Sequence, residues 1–116
     1  MTPQSMSSSR YASCIQACSA CVIACEACAS ACLMEEDVSM MSTCIKLDRD
    51  CADICRLAAA LMVRESALVD EFCRLCALAC QACAEECNKH QHEHCQQCAQ
   101  ACQRCVEACE SISMAA

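Results

Sequence analysis

The chain has no glycine and no tryptophan, a single proline (Pro3), one phenylalanine (Phe72) and one tyrosine (Tyr11). Tight hairpins and left-handed turns therefore lose their usual residue, and no such turn is expected. Ordinary core formers are scarce as well. Leu, Ile, Val and Phe together make 18 of 116 residues, below the ~20% at which a charged chain fails to build an aliphatic core. Either the chain is disordered or something else fills its interior. Basic residues are few, 8 Lys and Arg against 15 Asp and Glu, for a net charge of −7. That argues against a nucleic-acid partner, which needs clustered cations. No unbroken apolar run approaches the ~18 residues of a transmembrane helix, so no membrane span is expected. Residues Met1 to Arg10 are polar and serine-rich. They show neither a basic stretch leading into an apolar one nor a twin arginine, so no export signal is expected and the cytosol is the expected compartment.

What the chain does have is 19 cysteines. Their spacing is regular. Cys14, Cys18, Cys21, Cys25, Cys28 and Cys32 form one row, Cys73, Cys76, Cys80, Cys83 and Cys87 another, and Cys95, Cys98, Cys102, Cys105 and Cys109 a third. Steps alternate between three and four residues, the seam of a packed helix rather than the two-residue period of a strand. A fourth row is mixed: Met41, Cys44, Asp48, Cys51, Cys55, Ala58, Met62. Four helices are expected over about 8–34, 38–63, 66–88 and 90–113, behind a disordered segment 1–7. Asp37 or Ser39 is the expected N-cap of the second and Ser66 of the third, with Asn88 and Lys89 ending it. Connections this short make an all-α, antiparallel up-down-up-down four-helix bundle with a cysteine-lined core.

A lone buried cysteine is ordinarily a small hydrophobe, but leucine would fill four whole seams better. Disulfides fit poorly. The number is odd, the compartment is expected to be reducing, and neighbours at i,i+3 or i,i+4 have Cβ atoms ~5–6 Å apart where a disulfide needs about 3.8 Å. Metal fits. Soft thiolates select Cu(I), zinc or iron–sulfur clusters. Zinc takes about four ligands per ion in discrete tetrahedra, and iron–sulfur clusters favour loops and short turns. A straight row of sulfurs suits a low-coordinate ion bridged down an axis. One monovalent ion per thiolate also neutralises a dry core. Cu(I), near one per cysteine, is therefore the expected cargo. The alternatives are zinc or mixed thiophilic-metal sequestration, a structural zinc protein, and a thiol oxidoreductase. The last needs one exposed low-pKa cysteine with a resolving partner rather than many alike, so no enzyme is expected.

The two ends of such a bundle differ. One collects Met34, Glu35, Glu36, Asp37, Met40 and Met41 with His90, His92 and His94; the other collects Tyr11, Ile15, Leu57, Leu61, Met62, Leu68, Val69, Phe72 and Ile112. The first is the expected mouth for metal and the second an apolar stopper. If the fourth helix includes His90, then His90, His94, Cys98 and Cys102 form one row; stepping back three from Cys95 reaches His92. A solvated polar turn remains the alternative for the histidines, and core filling for Met40 and Met41. Asp48 lies within its seam, where an unpaired carboxylate is costly, so it should face metal, histidine or arginine. Arg49 and Asp50 are expected at the surface.

From Ser8 to Ser113 the chain resembles the bacterial copper storage proteins, on the strength of the run Cys14 to Cys32 and the runs Cys73 to Cys87 and Cys95 to Cys109. The resemblance, to the cytosolic branch, implies a four-helix bundle filled with Cu(I), a homotetramer, and an entrance that corresponds here to His90, His94 and Asp48. The metal-binding set expected is all nineteen cysteines with His90, His94, Asp48 and Met41.

Overall fold

The computed structural model describes residues 11–115, with side chains for residues 11–112; the expected disordered segment 1–7 lies outside them. It contains α1 (Ala12–Cys32), a 3-10 turn (Val38–Met41), α2 (Ser42–Val63), α3 (Val69–Asn88) and α4 (Glu93–Ala115), with no strand among the described residues. α1 packs on α2 and α4, and α3 packs on the same two. Each helix thus occupies a corner of a square, joined to its neighbour by a short turn.

Cysteine does what leucine would do. Each of the nineteen is at most 2% exposed and none is in a disulfide. Alanines flank the sulfur: Ala29, Ala52, Ala58, Ala77, Ala84 and Ala99 are buried beside it. Small side chains at these places let helix backbones approach closely, so a narrow interior suits small thiols. α1 carries Glu26 as its single charge, with mean hydropathy 1.5 over 18 residues. Contrary to the expectation from sequence, it passes a membrane helix's length and composition test. Its cysteine row, however, is buried in the bundle, and Ser13, Gln16, Ser19 and Ser30 lie outside that row on the helix.

The turns depart from expectation in three places. The α2 helix starts at Ser42, after the 3-10 turn, and neither expected cap holds it; Asp37 precedes that turn without a side-chain cap bond. Ser66 does not cap α3, which starts at Val69; its Oγ accepts the Leu68 N–H at 3.0 Å, within the turn. The α2–α3 corner does contain a left-handed residue, Glu65, at φ 53°. The Ser66 N–H donates to the Leu61 carbonyl at 2.9 Å and the Glu65 N–H to the Met62 carbonyl at 3.1 Å. This is the Schellman pattern, built in a glycine-free chain on glutamate.

The apolar end forms, with two exceptions. Tyr11, Leu61, Met62 and Val69 are buried, and Ile15, Phe72 and Ile112 pack against them, but Leu57 and Leu68 face solvent.

Candidate metal centre

The four rows meet as a continuous column of sulfur. At the His end, Cys28, Cys32, Cys44 and Cys95 hold their ligand atoms within 4.8 Å of one another; deeper come Cys25, Cys83, Cys98, Cys102, then Cys21, Cys51, Cys55, Cys80, then Cys18, Cys76, Cys105, Cys109. Individual contacts run from Cys51–Cys80 at 3.4 Å to Cys76–Cys80 at 4.0 Å. Two sulfurs bound to one ion at about 2.3 Å stand ~3.7–4.6 Å apart, so the thiols already sit near ligand spacing. The quartets show that four straight rows converge well enough for tetrahedra, contrary to the expectation for a single straight row. They are not separate, however. Cys21, Cys25, Cys51 and Cys102 also form a quartet of their own, sharing members with its neighbours above and below. Four discrete tetrahedra would use sixteen of the nineteen cysteines, whereas bridged ions can use all of them.

Asp48 sits inside this column, fully buried. Its Oδ1 accepts from Cys83 at 3.1 Å, Cys98 at 3.3 Å and Cys87 at 3.5 Å, and its Oδ2 from Cys44 at 3.8 Å. Its neighbours are thus thiols, in place of the histidine or arginine expected. Burial first, then the charges of Cys98 and Cys83, push its carboxyl up to about 10. In the metal-free protein the group is therefore a neutral acid at physiological pH. Burial, and after it the charge of Cys44, likewise hold the Cys95 thiol up at about 12. An empty column cannot ionise many thiols at once; cations must arrive as protons leave.

The histidines divide. The Nδ1 atom of His94 lies 3.5 Å from Cys28 Sγ, 3.6 Å from Cys95 Sγ and 3.9 Å from Cys32 Sγ. Its Nε2 is 2.8 Å from Glu35 Oε2. A carboxylate only accepts, so Nε2 donates to Glu35, and Nδ1 is the ring atom turned toward the sulfurs. His92 stacks on His94, with ring centroids 5.3 Å apart, and reaches Glu35 at 3.5 Å and Asp37 at 3.4 Å. His90 is elsewhere. α4 begins at Glu93, so the row from His90 through His94 does not form. Gln96 Nε2 donates to the His90 carbonyl at 2.7 Å, outside the helix, and the His90 ring pairs with Glu86 at 2.9 Å. Glu86 stands four residues before His90, a spacing readable in the sequence; Glu35 is 59 residues from its partner and is linked to it only through the meeting of two turns. Met41 is buried at the head of α2, whereas Met34 and Met40 are largely exposed.

Residues 7–114 match the family described as copper storage protein. The chain belongs to that family. A solved relative, a Cu(I)-bound copper storage protein named BsCsp3, is 48% identical; the match covers 90% of this chain and 99% of that one, with a TM-score of 0.88. The copper storage protein of Streptomyces lividans, loaded with 10 copper equivalents, is 40% identical over 90% of this chain and 84% of its own, with a TM-score of 0.88. A cytosolic copper storage protein from the same organism, carrying five coppers, is 40% identical over 90% of this chain and 92% of that one, again with a TM-score of 0.88. No curated protein matches significantly.

Proposed function

We propose that this family member is a cytosolic Cu(I) store that also keeps free copper from harming the cell. It takes up to about one ion per cysteine and catalyses no reaction. The supporting observation is the continuous column: an overlapping quartet links its neighbours, so bridged monovalent ions can use cysteines that four separate tetrahedra would leave idle. A relative loaded with ten copper equivalents agrees with more ions than four or five tetrahedra would hold. The cytosolic description of another relative supports the compartment.

Metal enters at the histidine end. His94 takes the ion on Nδ1 and passes it to Cys28 and Cys95; Asp48, Met41 and the deeper cysteines follow. His90, held by Glu86 in the turn before α4, serves the mouth from a second position. The homotetramer implied by family resemblance fits the exposed Ile23, Leu75 and Leu78 on the outer faces of α1 and α3, and light scattering reads it directly.

A second reading, zinc sequestration, draws on the same quartets, each wide enough for one tetrahedral ion. Anaerobic titration of the reduced metal-free protein with Cu(I), against a chromophoric chelator, separates the two. Saturation well above four ions per chain is expected, and saturation near four, the number of tetrahedra nineteen ligands can fill, overturns the copper store. In the same assay His94→Ala should slow filling by about tenfold, the usual scale for a disturbed metal ligand set, with capacity unchanged. Equal filling rates would remove the proposed path.

A further inference from the structure

At the end remote from the histidines, three of the four helices end their seam on a cysteine: Cys14 in the first turn of α1, Cys73 in the second turn of α3 and Cys109 late in α4. α2 has no cysteine beyond Cys55. Its row continues through Ala58 and arrives at the fourth corner with Met62. Cys14 and Cys109 lie 3.5 Å apart, sulfur to sulfur. The Sγ of Cys73 is 3.9 Å from the Sδ of Met62, inside the ~3.7–4.6 Å span of two sulfurs on one soft ion. Met62 is 1% exposed and belongs to the same buried cluster as Tyr11, Leu61 and Val69.

We propose that Met62 is a thioether ligand, closing the column with a four-sulfur Cu(I) layer made by Cys14, Met62, Cys73 and Cys109. The inference rests on the copper-store reading and extends it to a residue that otherwise belongs to the apolar stopper. Two features distinguish this corner from plain packing. Leucine or isoleucine would fill it with no polarisable atom, whereas the sulfur present is placed against a thiol. A thioether also adds a bond to the ion without adding charge. Next to the stopper, where water and mobile counter-ions are excluded, a fourth thiolate would need a further cation to offset it; the neutral sulfur does not. Thioether is a soft donor that favours Cu(I) over zinc, so this layer selects for copper more strongly than the all-thiolate quartets above it.

Methionine methyl carbon shifts test this. The protein is labelled with 13C at its methionine methyl groups and filled anaerobically with Cu(I). The Met62 signal, identified by its loss in Met62→Leu or by its contacts to the Cys73 β-protons, should move as the column fills. Met62→Leu should also surrender about one ion per chain at a chelator concentration roughly tenfold lower than the wild type requires, the usual scale for a disturbed metal site. A Met62 methyl that stays in place in a fully loaded column overturns the inference and leaves the copper store standing. A wild-type column that does not fill beyond four ions overturns both. Should the leucine variant not fold, the wild-type methyl shift decides alone.

Discussion

Asp48 is the residue whose chemistry the seam position foretold and whose partners it did not. Spacing alone places a carboxylate in the interior, and the structure buries it completely. Which groups meet it depends on how α3 and α4 dock, and they bring Cys83, Cys87 and Cys98. Surrounded by thiols instead of a cation, its carboxyl is held up at about 10, by burial before all else. The folded, metal-free protein thus keeps a proton that the unfolded chain releases near pH 4. The native state binds more protons between those two values, so its stability falls as pH rises through that window. Asp48→Asn has no such slope. The metal-free variant should therefore gain on the wild type in chemical denaturation between pH 5 and pH 8. The gain should be about one to a few kcal/mol, because each tenfold change in proton activity is worth about 1.4 kcal/mol per proton. Parallel pH dependence in the two proteins would mean that Asp48 is ionised in the core. His90 and His94 show the same limit from the other side. Both fit the i,i+4 rule, but that rule applies only inside a helix, and α4 starts at Glu93, one residue before His94 and three after His90.

Element by element, the four seams were legible because their three-four steps are unbroken over five to seven positions, and a helix is the one structure that puts such positions on one face. The ends of the helices were not. None of the three described N-termini with an assigned cap residue (α1, α2 and α3) has a side-chain cap bond, so the Ser and Asp signals that mark a helix start have no hold on them. Absence of glycine also misled, because the α2–α3 corner adopts the glycine conformation regardless. Glu65 bears the strain, since a left-handed non-glycine residue costs about 1–2 kcal/mol. The bonds from Glu65 and Ser66 back into α2 are backbone bonds that any residue can make. Glu65→Gly should keep them and remove the steric cost, raising the stability of the metal-free protein by about 0.5–1 kcal/mol once the greater freedom of glycine in the unfolded chain is set against it. Thermal or denaturant unfolding at one pH measures this, and a loss of stability would show that the glutamate side chain supports the corner. Charge also joins α1 and α2 at the surface: Glu26 is 3.2 Å from Arg49 and also pairs with Arg56. Both arginines are well exposed, so these pairs contribute little.

For the whole molecule, the shortage of aliphatic residues and the abundance of cysteine are one property with a thermodynamic consequence. Thiols bury less apolar area than leucine, and area sets the hydrophobic contribution at about 25 cal/mol per Å². The empty bundle is held by helix packing, by the alanine contacts beside the seams and by the stopper around Tyr11, Leu61 and Val69. It should be helical and only moderately stable. The sulfur column then couples cargo to fold. Every quartet named above draws from at least three helices; Cys25, Cys83, Cys98 and Cys102, for instance, come from α1, α3 and α4. An ion seated among such ligands finds them gathered only in the folded chain, so its extra affinity for that state over the unfolded thiols adds to the folding energy. The melting temperature should climb with each addition of Cu(I), and should go on climbing past the fourth equivalent because the column offers no point at which separate sites are complete. Far-UV circular dichroism during the same series should change little, since the helices exist before the metal arrives. If the melting temperature instead levelled off near four equivalents, the shared quartets would be acting as isolated tetrahedra. If helicity appeared only on adding metal, the fold would be the metal's product, and the structural-metal alternative would take the place of storage.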